Sequence, residues 1–533
     1  MLSEQIPMKD VWHPATPAQQ GLWILDRIER LRPAYLIPSV LEFTGPVDHG
    51  LFTAAVRQAL ARHPALRSVF RLNVRARQVQ YAIAANDPPV TFTDRPTGGW
   101  TPDDLRRHVL DSCYAPFDLA AGPPARAVVV RVDDTSTLLV LVVHHIVFDG
   151  WSRRLIVADI AELYRAALLG REPVLAEPGH PADLPGPPEE ELAARVGAIT
   201  DRLRDAPLGV PLPYDRLPEG ESPLVSEIAD LGFGEELTGR LLAAAATEGC
   251  TAFMAGVAML AATLARAGAQ RDFLFGVVWP GRDDPATHGV VGMLMNTVVL
   301  RIGLTGGTTW RELLRMVRAA AIDAFVDGDV PLAPVAAALA PDRDVSRPPL
   351  TPVLINLAEV PGDIDLAPGV RGRYRPLELT YSIWDLILFV HVDGGRGHAR
   401  LDLSADYATD LFDRSTVTDL LEALRRSALD LTTSLEDLVL EPSSTEIDFT
   451  DEAARLDVVR SVWRQVLATD DLADDIGFFA AGGDSLLLIG LVEELSRATG
   501  RTFKTMDIFR AGTIAGQAEL VARAVDGAAG GAR

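Results

Sequence analysis

Leu138 to Val143 is an unbroken apolar run, LLVLVV, and it leads directly into two adjacent histidines, His144 and His145. A strand that is apolar on both sides must be covered on both sides, so it belongs at the centre of an enclosed sheet and not on a solvated edge. Ala127 to Val132 precedes it across the polar turn Asp133-Asp134-Thr135-Ser136 and reads as its antiparallel partner. Leu36 to Phe43 reads as a further strand. Helical spacing over Pro17–Leu31, Val47–Phe70 and Ser152–Leu169, the last stopped by Gly170, supplies the covering layers.

Residues 171–223 carry a dense scatter of proline and glycine around one helical piece, Glu189–Arg204, the pattern of a hinge or crossover. Helices and strands then alternate again. Strands are expected at Phe273–Val278, Asn296–Ile302, Thr351–Leu357, Asp385–Val392 and Ala399–Ser404, and the alanine-rich stretch Leu241–Ala267 reads as one buried helix. The chain is therefore expected to hold two α/β lobes, 1–180 and 181–437, then a polar linker, 438–449, and an all-helical domain, 450–525. Residues 526–533 are small and polar enough to predict an unstructured tail.

Composition removes several classes of function. The 533 residues carry a net charge of −23, which repels the phosphate backbones that non-specific nucleic-acid binding neutralises. Residues 445–525, with 14 acidic and 8 basic side chains, are more acidic per residue than the rest. Cys113 and Cys250 are the only cysteines, too few for a disulfide framework or a cysteine-rich metal site, and in keeping with a cytoplasmic location. No apolar window is long enough to predict a bilayer span, so no membrane partner is expected. Lysine occurs only at positions 9 and 504, neither in a phosphate-loop setting.

The chemistry-bearing stretch is His144-His145-Ile146-Val147-Phe148-Asp149-Gly150-Trp151, between a buried strand and a helix. Adjacent histidines point in different directions, so one can face a cavity while the fold holds the other. A neutral imidazole near its ordinary pKa of about 6.5 suits proton removal from an amine or hydroxyl. Asp149 could rigidify the loop by accepting hydrogen bonds, and Gly150 permits a tight turn or close substrate approach. Two buried, hydrogen-bonded histidines ending a strand are the alternative. In the acidic domain, Gly482-Gly483-Asp484-Ser485-Leu486 places a serine at the start of a helical run, Leu486–Ala498. The ordinary role of a serine there is an N-cap, and it is compatible with a second one, because a phosphodiester attached to Ser485 would gain from the free N–H groups at the helix start.

The histidine stretch resembles the His-His-x-x-x-Asp-Gly signature of the condensation domains of nonribosomal peptide synthetases. Thr16–Trp23, Arg62–Phe70, Gly289–Thr297, Asp329-Val330-Pro331 and Arg343–Leu350 match that family in order, over roughly residues 10–437. The resemblance implies two chloramphenicol-acetyltransferase-like lobes forming a V with a tunnel between them. It makes His144, His145, Asp149 and Gly150 the catalytic motif, with His145 in the catalytic role, His144 structural, and Asp149 the buried partner of an arginine, Arg282 by preference. Arg67 and Asn296 become supporting residues. The chain departs from the family in two places: it lacks the tyrosine-rich stretch between Leu163 and Pro185, and it has Asp327-Gly328 where the family tends to have His-Gln.

Gly482–Leu486 in turn resembles the attachment signature of peptidyl carrier domains. This implies 4'-phosphopantetheine on Ser485, flanked by Asp484 and Leu486, with Phe478 and Phe479 in a small core. An adenylation domain normally stands between these two domains and uses a lysine in its final motif, yet no lysine falls between Lys9 and Lys504. Activation in trans is therefore expected. The implied reaction is amide formation between an upstream carrier-bound acyl or peptidyl thioester and an aminoacyl group on Ser485. The implied partners are an upstream carrier, a trans-acting adenylation enzyme, a phosphopantetheinyl transferase and a downstream synthetase or thioesterase. The alternatives are an ester-forming or epimerising relative of the same fold, or a non-catalytic platform recruiting carriers and tailoring enzymes.

Overall fold

The computed structural model describes residues 11–184, 189–216, 222–268, 270–341, 347–359, 362–377, 380–393, 400–438, 451–467, 469, 472–482, 485–499 and 503–529. The chain divides into two compact units, one ending at residue 439 and one beginning at 440.

The first part of the larger unit contains strands β1 (His13–Pro14), β2 (Leu36–Thr44), β3 (Ser68–Asn73), β4 (Gln78–Ile83), β5 (Val90–Thr93), β6 (Ala125–Arg131) and β7 (Ser136–His144). Its helices are α1 (Pro17–Asp26), α2 (His49–Arg62), α3 (Pro102–Tyr114) and α4 (Gly150–Leu169), followed by α5 (Glu189–Leu203). The double-sided apolarity of β7 has its explanation here. Leu139, Leu141 and Val143 pack with α2 and α4, while Leu138, Val140 and Val142 face the other way, towards Cys113 of α3. Gly170 stops α4 in a left-handed conformation, φ +62°, with its N–H bonded back into the last turn.

The second part comprises β8 (Val225–Gly232), α6 (Gly234–Thr247), α7 (Ala252–Ala267), β9 (Asp272–Trp279), β10 (Asn296–Gly303), α8 (Trp310–Val326), α9 (Leu332–Leu339) and β11 (Val353–Glu359). It continues through β12 (Ile364–Ala367), β13 (Val370–Arg375), β14 (Thr380–Tyr381), β15 (Leu386–Asp393), β16 (Arg400–Ala408) and α10 (Arg414–Thr433). Seven strands form one sheet in the order β10-β9-β11-β15-β16-β8-β14, packed against α6, α7, α8 and α10. β12 and β13 leave it and join the first sheet instead, whose order is β12-β13-β2-β7-β6-β5.

Three predicted helices end or break early. The first stops at Asp26, and a 3-10 turn containing Pro33 replaces its end. The second stops at Arg62 because His63-Pro64 turns the chain into β3. Leu241–Ala267 is two helices bent by 95°, broken where Gly249 takes φ +68° and Thr251 restarts the helix by accepting from Met254 N. Among the described residues no single helix is long and apolar enough to cross a membrane.

The smaller unit consists of α11 (Glu452–Leu467), α12 (Ser485–Thr499), α13 (Thr505–Ala511) and α14 (Ile514–Ala529). Its core is built on Trp463, whose ring meets Phe478 edge-on at 5.1 Å and whose indole N–H donates to Gln517 at 2.8 Å. α14 runs to Ala529, four residues into the stretch expected to be an unstructured tail; residues 530–533 lie outside the described residues, as do residues 439–449 of the expected linker, whose first residue, Leu438, is buried.

Candidate functional site

The chain leaves β7 at His144, makes one 3-10 turn, His145–Val147, and enters α4 with Asp149 as N-cap. His144 is buried. Its Nδ1 accepts from Ile146 N at 3.1 Å, so the ring proton sits on Nε2, which faces Asp26 Oδ1 at 3.5 Å. His145 is oriented the other way. Its Nδ1 lies 2.7 Å from the carbonyl of Phe148, which can only accept, so Nδ1 carries the proton and Nε2 keeps its lone pair. Burial holds the His145 pKa below the ordinary histidine value, with the Phe148 hydrogen bond and the Asp149 charge acting in the opposite sense. A neutral imidazole with an available Nε2 can accept a proton.

Asp149 is saturated. Oδ1 accepts from Ser152 N at 2.8 Å and lies 2.7 Å from Ser152 Oγ; Oδ2 accepts from Arg282 Nη2 at 2.8 Å and Leu294 N at 3.2 Å. Arg282 spends Nη1 on the carbonyls of Thr287 and Val290, at 2.6 and 2.7 Å. The structure thus brings Asp149 and Arg282 together across the two lobes. Gly150 is exposed, its φ is not left-handed, and an added Cβ would meet nothing within 4 Å. No tight turn requires glycine there, only an open space beside the motif.

Asn296 lies two residues beyond Leu294, and its amide donates to the carbonyls of Gly328 and Val330 at 2.8 and 2.6 Å. Arg67 points elsewhere: its guanidinium bonds Ala84 O at 3.5 Å, next to the β3–β4 hairpin. Sequence reasoning missed two supports on α1. Gln19, buried, donates to Ile146 O at 3.0 Å, and Asp26 faces His144. Both lie within or just after the matching stretch Thr16–Trp23, which was the available signal.

In the smaller unit Ser485 is the first residue of α12, preceded by Gly482 at φ +98°. A fifteen-residue helix starting at the serine gives an attached phosphodiester backbone N–H groups and the positive end of the helix dipole, which suits 4'-phosphopantetheine. Asp484 lies outside the described residues, and the side chains of Ser485 and Leu486 are likewise outside them. Phe478 is buried as expected. Phe479 is not: it is 48% exposed and packs its ring 5.8 Å from that of Phe509, equally exposed.

The family model Condensation domain matches residues 11–180 and 203–451, and the model Phosphopantetheine attachment site matches 457–521. Phosphinothricin tripeptide synthetase PhsB of Streptomyces viridochromogenes is 32% identical over 79% of this chain and 36% of its own length. The dimodular nonribosomal peptide synthase of Bacillus subtilis is 29% identical over 78% of this chain and 18% of its own. The chain thus spans about a third or less of these curated relatives. Among solved structures, the X-domain from teicoplanin biosynthesis superposes with a TM-score of 0.71 at 24% identity, covering 81% of this chain and 97% of that one. The first condensation domain of the calcium-dependent antibiotic synthetase gives 0.64 at 22% identity, covering 81% and 98%. At these identities the likeness is one of fold.

Proposed function

The chain belongs to the condensation-domain family of nonribosomal peptide synthetases and carries a phosphopantetheine attachment domain behind it, and from that premise we propose that it joins a carrier-bound acyl or peptidyl thioester to an aminoacyl group held on Ser485. The observation that carries the reading is the polarity of His145: a loop that fixes the proton on Nδ1 and leaves Nε2 as a base. Phosphopantetheine on Ser485 supplies the thiol that presents the acceptor. His145 Nε2 accepts a hydrogen bond from the acceptor amine and stabilises the positive charge it develops on attacking the thioester carbonyl. Asp149, Arg282 and Ser152 keep the loop in place, and orientation of two activated partners provides much of the rate. The expected partners are an upstream carrier, a phosphopantetheinyl transferase and an adenylating enzyme acting in trans.

A non-catalytic recruiting platform has no use for an oriented, base-competent His145. The test is intact mass of the chain after phosphopantetheinylation, aminoacylation and incubation with an acylated carrier. Amide on the Ser485 arm supports the reading. Acyl transfer only to hydroxyl acceptors would make the chain an ester-forming relative, and no transfer to either would leave recruitment.

A further inference from the structure

Trp279 ends β9, three residues before Arg282, and its partner across the ladder is Asn296 of β10. Its indole sits on Gly328, which is buried beneath it. A Cβ added at Gly328 would come within 2.4 to 2.5 Å of three indole atoms, Cε2, Cδ2 and Nε1. The far edge of the ring reaches Gly281, held at φ +66° where a Cβ would strike the Leu294 carbonyl at 2.0 Å. The indole N–H donates to Asp283 Oδ2 at 3.2 Å, so the polar tip is satisfied. The turn below is rigid as well. Asn296 holds the carbonyls of Gly328 and Val330, and Arg195 of α5 bonds Asp327 at 3.2 Å and Asp329 at 3.1 Å.

These contacts close a ring. From Asp149 it runs through Arg282 and Gly281 to Trp279, then through Gly328 and Asn296 to Leu294, whose N–H returns to Asp149. The indole is therefore fixed relative to the carboxylate that positions the His145 loop. It is also only half-buried, leaving ring surface uncovered. A large aromatic surface, held rigid and with its N–H already paired, loses little entropy on binding and offers an apolar contact of defined place. The glycine that seats it occupies the Asp327-Gly328 position, where the sequence departs from its family.

We infer that Trp279, seated on Gly328 and tied to the histidine loop through Arg282 and Asp149, is a specificity-determining platform, selecting aromatic over small acyl groups on the incoming thioester. The inference rests on the proposed transfer of acyl thioesters and names what that site prefers.

The test titrates the full chain with two small probes, S-phenylacetyl pantetheine and S-acetyl pantetheine, by calorimetry, with thermal unfolding of each variant as a check on folding. The wild type is expected to bind the phenylacetyl probe about tenfold more tightly, a margin within what an apolar contact supplies. Trp279→Ala brings the ratio close to one. Trp279→Phe keeps most of the preference, and Gly328→Gln, which must push the ring off its seat, loses it. A folded Trp279→Ala chain with an unchanged ratio overturns the inference, as does a wild type that prefers neither probe or a ratio that rises when the ring is removed. Because the readout is binding, the two readings fail separately. A Trp279-dependent ratio without amide formation removes the proposed function and leaves the platform, while amide formation with an unchanged ratio does the reverse.

Discussion

Asp149 Oδ2 and Arg282 Nη2 lie 2.8 Å apart although their residues belong to different lobes, and the two side chains are 3% and 2% exposed. A charge buried to that degree depends on its partner, because water cannot replace it.

Removing either partner should therefore be costly. Arg282→Ala or Asp149→Ala is expected to destabilise the larger unit by about 3–5 kcal/mol, the range for an orphaned buried charge. Arg282→Lys recovers little, since one ammonium cannot span Asp149, Thr287 and Val290 as the guanidinium does. Urea unfolding monitored separately for the two units checks this; an Arg282→Lys chain as stable as wild type would show that point charge alone suffices.

His145→Ala is expected to slow amide formation by about 10² to 10⁴, the usual contribution of a positioned acid–base group, while Ser485 loads normally. The pH profile carries its own signature. The active form is the neutral ring, and burial lowers its pKa from the ordinary 6.5, so the rate should hold as pH falls to 6.5 and decline only below it. An acid limb centred at or above 6.5 would contradict a buried base.

Asp406 on β16 is 8% exposed, its Oδ1 has no hydrogen-bond partner, and burial pushes its pKa from 3.8 up to about 6, opposed in part by a hydrogen bond from Ser226. A folded-state pKa above the unfolded value means that the favourable contribution is complete below about pH 4 and is lost as pH rises through about 6. Asp406→Asn, which never acquires the charge, should stabilise the larger unit at pH 8 by up to about 3 kcal/mol and make little difference at pH 4. Thermal unfolding at both values decides it.

Gly45 takes φ +125°, and a Cβ there would meet Gly369 O at 2.1 Å, in the turn joining β12 to β13. Gly45→Ala is expected to cost at least about 1–3 kcal/mol and to loosen this strand pair in particular. Hydrogen exchange of residues 370–375 is the measurement; unchanged protection there would mean that the pair docks without the close approach.

Much of the fold is legible in the sequence, for identifiable reasons. β7 and α4 announce themselves because burial on both sides leaves an unbroken apolar run, and because Gly170 at the end of α4 is a position a left-handed cap requires. α3 is not legible in the same way. Its helix is mostly polar and buries only Cys113 completely, with Leu105 and Val109 half-buried on the same face, so it offers a thin apolar stripe beside the capping start Thr101-Pro102-Asp103-Asp104. β13, VRGRYR, alternates exposed arginines with buried Val370 and Gly372 and half-buried Tyr374, and resembles a polar loop until β2 is beside it. The motif histidines are visible as residue types. Their division of labour depends on hydrogen bonds to Phe148 O and Ile146 N, which follow from a 3-10 turn that the sequence pattern does not specify.

The strand pair β12–β13 leaves one sheet, completes the edge of the other and returns, so the polypeptide stitches the lobes together a second time after the crossover. A cut near residue 180 would strip β2 of its outer neighbour, baring the backbone of Val40–Thr44 as a template for other chains. For exchange between synthetases, the smallest portable piece on this side of the linker is accordingly the whole of both lobes, because the first lobe's sheet takes its edge from the second part of the chain.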